Sequence, residues 1–167
     1  GPIQNDATGV EVYSSIFALE ESPHNEGEIW VGSDDGMIHI TKDGGENWED
    51  ITPNKIIPFQ GTINKIELSA HQAGRAIVAV YNYRNDDPKP YIILTNDYGK
   101  SWKLISKNNG IPSDHFVRTV AEDPSKFGLI YAGTEFGAFV SFDNGSNWNS
   151  LQLNLPHVPI TDMEVTQ

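Results

Sequence analysis

Apolar residues in this chain fall into short runs of about four to eight positions, each closed by glycine, proline, asparagine or aspartate, the pattern of strands and not of helices. The runs come in sets of four. The first set predicts strands at about 13–20, 28–33, 37–42 and 47–52, and the second at about 62–69, 75–82, 91–96 and 101–106. The third predicts strands at about 116–122, 129–134, 138–142 and 147–153, and no helix-period segment of useful length competes with any of them. Between the third and fourth strand of each set stands one pattern, Ser/Thr-x-Asp-x-Gly-x-x-Trp. It occurs as Thr41-Lys42-Asp43-Gly44-Gly45-Glu46-Asn47-Trp48, Thr95-Asn96-Asp97-Tyr98-Gly99-Lys100-Ser101-Trp102 and Ser141-Phe142-Asp143-Asn144-Gly145-Ser146-Asn147-Trp148. The copies lie 54 and 46 residues apart. Four antiparallel strands in each repeat of about 45–55 residues is the arithmetic of a β-propeller blade.

The flanks repeat as well. Pro23-x-x-x-Gly27, Ala70-x-x-x-Gly74 and Pro124-x-x-x-Gly128 each precede a second strand that ends on a small residue, Gly32, Ala79 or Gly133. The expected architecture is therefore all-β, with blades at about 12–53, 61–107 and 115–154 and the first strand of a further unit at about 159–166. The second repeat is longer because of Tyr81 to Pro90, an expected insertion between its second and third strands. Propellers close with about four to eight blades, so three make an incomplete ring. Its open ends would be covered either by the remaining blades of a longer propeller or by a second copy, giving a ring of six. Gly1-Pro2 matches a protease cleavage scar, which leaves room for a signal or a further domain upstream.

The octapeptide asks for fold chemistry. Glycine supplies positive φ in the turn, and the Asp carboxylate is expected to accept turn N–H groups with the Ser/Thr hydroxyl two residues earlier. Trp48, Trp102 and Trp148 are expected to fold back over their own turns, where burial of such a ring is worth about 3–5 kcal/mol.

Charge narrows the function. With 11 basic against 23 acidic residues the net charge is −12, and no Lys/Arg cluster forms a phosphate-binding face, which excludes nucleic acid as a partner. No apolar run approaches the roughly 18–20 residues of a membrane span. The absence of cysteine excludes disulfides and thiolate chemistry.

The octapeptide resembles the Asp-box (BNR) repeat of sialidases, xyloglucanase-type endoglucanases and sortilin-like receptors. The phrases Gly9-Val10-Glu11-Val12-Tyr13, Ile29-Trp30-Val31-Gly32-Ser33-Asp34-Asp35-Gly36, Asn109-Gly110-Ile111-Pro112 and Leu153-Asn154-Leu155-Pro156 look closest to large exported bacterial proteins with sortilin-like (VPS10-type) propellers, often labelled glycosyl hydrolases. The resemblance implies an exported location, periplasmic, cell-surface or secreted, and boxes placed at the blade periphery. Thr41, Asp43, Gly45, Trp48, Thr95, Asp97, Gly99, Trp102, Ser141, Asp143, Gly145 and Trp148 are then structural.

A sialidase would need three clamping arginines. The chain has Arg75, Arg84 and Arg118, and no common blade position carries them. A glycosidase would need two carboxylates about 5–9.5 Å apart. No catalytic residue is assigned. Ligand chemistry is expected on the loops opposite the boxes, with Asp34, Asp35, Tyr83, Arg84, Asp86, Asp87, His115, Arg118, Glu135 and Phe136 as candidates. No cofactor is expected. Asp34-Asp35 could contribute to a Ca²⁺ site, although no EF-hand spacing accompanies it. His24, His39, His71, His115 and His157 show no metal-ligand spacing, and His24 and His71 occupy matching turn positions. Two functions stay open: a non-catalytic propeller segment presenting loops to a protein, peptide or glycan, and part of an Asp-box glycoside hydrolase whose groove other blades complete.

Overall fold

The structure is a computed structural model that describes residues 14–166. Gly9–Tyr13, and with them the expected start of the first strand, lie outside the described residues. Three four-stranded antiparallel sheets follow one another along the chain, each in sequential order. Blade 1 holds β1 (Ile16–Glu21), β2 (Ile29–Ser33), β3 (Ile38–Thr41) and β4 (Glu49–Asp50). Blade 2 holds β5 (Thr62–Leu68), β6 (Ala76–Asn82), β7 (Asp87–Thr95) and β8 (Lys103–Leu104). Blade 3 holds β9 (Val117–Glu122), β10 (Ile130–Thr134), β11 (Gly137–Ser141) and β12 (Asn149–Ser150). These are propeller blades in an incomplete ring.

Three expectations need correction. The fourth strands are two residues long. The chain leaves the sheet after them to reach the next blade, and only one further bond, such as Ile51 N–H to the Ile38 carbonyl at 2.9 Å, extends the pairing. The insertion at 81–90 is a longer hairpin and not a loop: Asn82 pairs with Asp87, and a 3-10 turn at Tyr83–Asn85 with Asp86 at φ 57° closes it. No strand forms at 159–166; Ile160 donates a single backbone bond to the Thr134 carbonyl at 2.9 Å.

Alternation along β6 explains why the sheets stack. Ala76, Val78 and Val80 face blade 1 and join Trp30, Ile38, Ile40, Ile63 and Ile66 in one core. Ile77 and Ala79 face blade 3 and join Ile92, Val117, Val120, Ile130 and Phe139 in the other. A strand buried on both faces carries an unbroken apolar run, and each large side chain so buried contributes about 1.5–3 kcal/mol.

The boxes form the turn network the sequence predicts. Asp97 accepts from the Thr95 hydroxyl (2.8 Å), the Ser101 N–H (2.9 Å) and the Ser101 hydroxyl (2.5 Å). Asp43 and Asp143 are bound in the same way by Thr41 and Asn47, and by Ser141 and Asn147. These donors hold all three carboxyls below the usual range, Asp43 at about 2.

The indoles do something else. Trp102 Nε1 donates to the Ile51 carbonyl (3.0 Å) and Trp148 Nε1 to the Ile105 carbonyl (2.8 Å), each in the preceding blade. The side chains of Ile51 and Ile105 in turn sit on the box glycines. A Cβ on Gly99 would come within 2.7 Å of Ile51, and one on Gly145 within 2.5 Å of Ile105. The second and third boxes are therefore sockets for the blade before each, which the expectation of a self-covering turn missed.

Further links cross the joints. His24 Nε2 lies 2.9 Å from the Ser69 carbonyl, and His71 Nε2 lies 2.8 Å from the Asp123 carbonyl, so both turn histidines hook onto the following blade. Arg75 in blade 2 is fully buried against Glu122 in blade 3 (2.8 Å) and also donates to Asn96 (2.8 Å) and Asn144 (2.6 Å).

Candidate ligand face

Each turn between second and third strands lies beside the start of its blade's first strand. Asp34 N–H donates to the Ser15 carbonyl (3.0 Å) and Glu135 N–H to the Phe116 carbonyl (3.2 Å). The boxes sit at the other end, tied to the 23–28 type of turn by Gly44 to Gly27, Tyr98 to Gly74 and Asn144 to Gly128 backbone bonds. The candidate residues therefore occupy the end away from the boxes.

They fall into two groups. At the junction of blades 2 and 3, Tyr83 stacks on Phe116 with ring centroids 4.7 Å apart and planes at 19°. Tyr81 lies 5.1 Å from the Tyr83 ring. The Arg118 guanidinium lies 5.0 Å above the Phe116 ring and pairs through Nε with Glu135 at 2.5 Å. Arg84 extends over Tyr81 at 5.8 Å and has no carboxylate within ion-pair distance among the described residues. His115 neighbours Phe136 at 4.8 Å and Asp114 at 2.9 Å. Tyr83 and Phe136 remain 39% and 45% exposed, so an aromatic surface flanked by guanidinium groups faces solvent.

The acidic candidates are occupied locally. Asp34 Oδ1 accepts the Ser14 and Ser15 N–H groups, both at 2.9 Å. Asp35 accepts the Ser14 and Ser33 hydroxyls, and these bonds outweigh its burial and keep its carboxyl below the ordinary value. Asp87 accepts the Tyr91 hydroxyl at 2.6 Å and pairs with Lys89 at 3.0 Å; its carboxyl too lies low, against a desolvation that acts the other way. Asp86 takes the left-handed position that ends the hairpin tip. Among the described residues no group of three or more His, Cys, Asp or Glu side chains gathers to hold a metal. The carboxyl that burial raises, to about 7, is Glu67 on β5, which accepts the Glu122 N–H at 3.2 Å. It lies at the box end of its strand.

Sequence reasoning missed Phe116 and Asn64. Asn64 and Arg118 each occupy the extra position of a bulge in their first strands, and the Asn64 side-chain amide donates to the Arg118 carbonyl. The repeated spacing, with Phe17 at the same point of β1, is the signal that could have found Asn64; Phe116 falls outside it.

Stacked four-stranded meanders joined box to blade define the class: this is an arc of three β-propeller blades. Comparison with known proteins agrees. No family model matches the chain. The chain is 25% identical over 126 residues to the oligoxyloglucan-reducing end-specific xyloglucanase of Emericella nidulans, covering 75% of this chain and 15% of that enzyme. Among solved structures it resembles an ancestral GH74 enzyme, with a TM-score of 0.66 and 22% identity over 84% of this chain and 19% of the other. It also resembles YCF48 bound to D1 peptide, with a TM-score of 0.62 and 20% identity over 83% and 41% of the two chains. These likenesses define the fold. The chain spans a small part of the relatives it matches.

Proposed function

We propose that this arc is a non-catalytic binding segment whose ligand is a peptide or an extended stretch of protein, held on the face away from the boxes. The carrying observation is the half-exposed Tyr83 ring, stacked on Phe116 beside an Arg84 guanidinium without a carboxylate partner among the described residues. A rigid aromatic pair with adjacent arginines is the composition of binding hot spots. That a propeller of similar fold was solved with a peptide bound supports the same class of ligand here. The repeats belong, in this reading, to the Asp-box type nearest the sortilin-like propellers, and the protein is exported; fractionation of the source cells checks the location.

A second reading, part of a glycoside hydrolase, draws on the identity to a xyloglucanase. A glycosidase needs one carboxyl kept protonated by its surroundings. The hydrogen bonds to Asp35 and Asp87 push those carboxyls the other way, and Glu135 is held by Arg118. Binding to an immobilised peptide array, followed by titration of the selected peptide, tests the proposal. Tyr83→Ala and Arg84→Ala should each weaken binding by about 10- to 30-fold, the loss of about 1.4–2 kcal/mol typical of such contacts. Release of sugar from xyloglucan oligosaccharides, or peptide binding indifferent to both substitutions, would overturn it.

A further inference from the structure

We propose that the peptide on this face offers an internal Asp or Glu side chain to Arg84, flanked by apolar residues seated on Tyr83 and on Phe59. This ligand chemistry rests on the peptide-binding reading and adds to it a charge and a second contact. Arg75 is buried against Glu122, and Arg118 is paired with Glu135. Of the three arginines, Arg84 alone has no carboxylate partner among the described residues, in a chain with 23 acidic residues against 11 basic ones. It stands on the hairpin tip that lengthens the second repeat. There Asp86 N–H donates to the Tyr83 carbonyl at 3.1 Å, and the Asn85 side-chain amide donates to Asn82 Oδ1 at 2.7 Å. The braced tip lowers the ordering cost of binding.

Phe59 marks the second seat. It is 86% exposed, against 39% for Tyr83. A single exposed phenylalanine says little by itself; this one is fixed and flanks an unpaired arginine. Gly61 N–H donates to the Pro58 carbonyl at 3.1 Å, with Gln60 between them at φ 61°. The turn is pressed against blade 1, where a Cβ on Gly36 would lie 2.8 Å from the Gly61 carbonyl oxygen. Thr62, next in the chain, pairs with Tyr81 and donates its hydroxyl to the Asp34 carbonyl at 3.2 Å. Phe59 therefore stands at the junction of blades 1 and 2, at the same end of the blades as Tyr81 and Arg84.

Arg84 lies between the two aromatic seats. Asp34 of blade 1 acts on its charge through space from one side, and the Tyr83–Phe116 stack lies on the other. Asp34 does not replace a partner, because its Oδ1 already accepts the Ser14 and Ser15 N–H groups. A guanidinium takes a carboxylate through two parallel N–H bonds. Arg118, the other guanidinium on this face, is neutralised by Glu135, so one negative charge is matched and a dianionic phosphate is not. A ligand that continues past Arg84 to Phe59 must supply that charge from a side chain and not from its C-terminus.

A peptide array with free and with amidated C-termini, followed by anisotropy titration of the selected sequences, tests this. Those sequences should share an acidic residue between two apolar ones and bind equally well when amidated. Replacing the acid by its amide should weaken binding by about 10-fold or more. Arg84→Glu should lose as much and regain it with a peptide carrying lysine in place of the acid. Phe59→Ser should weaken binding by about 5-fold or more and leave the thermal melt unchanged, its ring being exposed. Selected peptides without an acid, loss of binding on amidation, no rescue by the lysine peptide, or indifference to Phe59→Ser would overturn the acidic-ligand proposal. Peptide binding that still needs Tyr83 would, in that event, leave the broader reading standing. If no peptide binds at all, that reading fails and this one with it.

Discussion

Glu122→Gln isolates the buried charge pair that locks blade 2 to blade 3. Arg75 donates to Glu122 from Nε at 3.1 Å and Nη2 at 2.8 Å, and the two side chains are 0% and 1% exposed. Glutamine keeps the shape and an acceptor for the Gly128 N–H, which now sits 3.1 Å from Oε1. What it removes is the compensating charge. The guanidinium would keep the side-chain oxygens of Asn96 and Asn144, one amide oxygen at position 122 and the face of the Phe127 ring at 4.6 Å, dipoles where it had an ion. An uncompensated buried charge costs about 3–5 kcal/mol, and Arg75→Met should cost as much from the other side. Combining Glu122→Gln with Arg75→Met removes the charges together and strands only neutral groups, at about 1–3 kcal/mol each. The double variant should therefore be more stable than either single one, with a coupling energy of at least about 3 kcal/mol in a double-mutant cycle. Urea unfolding followed by tryptophan fluorescence reads all four stabilities. Single substitutions costing under about 1 kcal/mol, or strictly additive ones, would refute the claim that this pair clamps the joint.

Other outcomes follow from the same geometry. Asp97→Ala removes three hydrogen bonds from the second box and should cost about 1–3 kcal/mol in urea unfolding while leaving peptide affinity on the opposite face unchanged. Gly145→Ala places a methyl 2.5 Å from Ile105 at φ 77° and should cost about 2 kcal/mol or more by thermal melt. The box carboxyls titrate lower in the folded chain than in the unfolded one, so their contribution, present above pH of about 4, should be lost as pH falls through their lowered values, that of Asp43 at about 2, visible as an acid unfolding arm. Glu67 has the opposite sign: its carboxyl, raised to about 7 by burial, costs nothing at pH of about 4 and progressively more as ionisation is forced towards pH of about 7. Glu67→Gln should flatten that decline, by at most about 3 kcal/mol; a pH–stability curve identical to that of the unsubstituted chain would contradict the assignment.

The strands were legible because two-residue periodicity and glycine punctuation are local signals, and the box turns because an Asp two residues after a hydroxyl binds within its own turn. The direction of Trp102 and Trp148 was not legible, since it depends on Ile51 and Ile105, a whole blade earlier in the chain. For the same reason nothing in the sequence paired Arg75 with Glu122, 47 positions away. The outer strands were overextended because apolar Ile51 and Ile105 look like strand residues, although they serve the next blade. On the candidate face, Tyr83 and Arg84 stood out in a longer repeat. Phe116 did not, because its role comes from stacking on a neighbouring hairpin.

The socketed joints make stability a nearest-neighbour property. Blade 2 is gripped from both sides, whereas blades 1 and 3 are each gripped from one among the described residues. Amide protons of Val78 and Ile93, deep in the middle blade, should therefore exchange only when both joints open. Those of Leu19 and Val31 need the release of one. Taken by itself, the stretch from blade 1 to blade 3 thus carries a built-in order of disassembly, its outer blades released before the middle one, with cooperativity limited by the weaker joint.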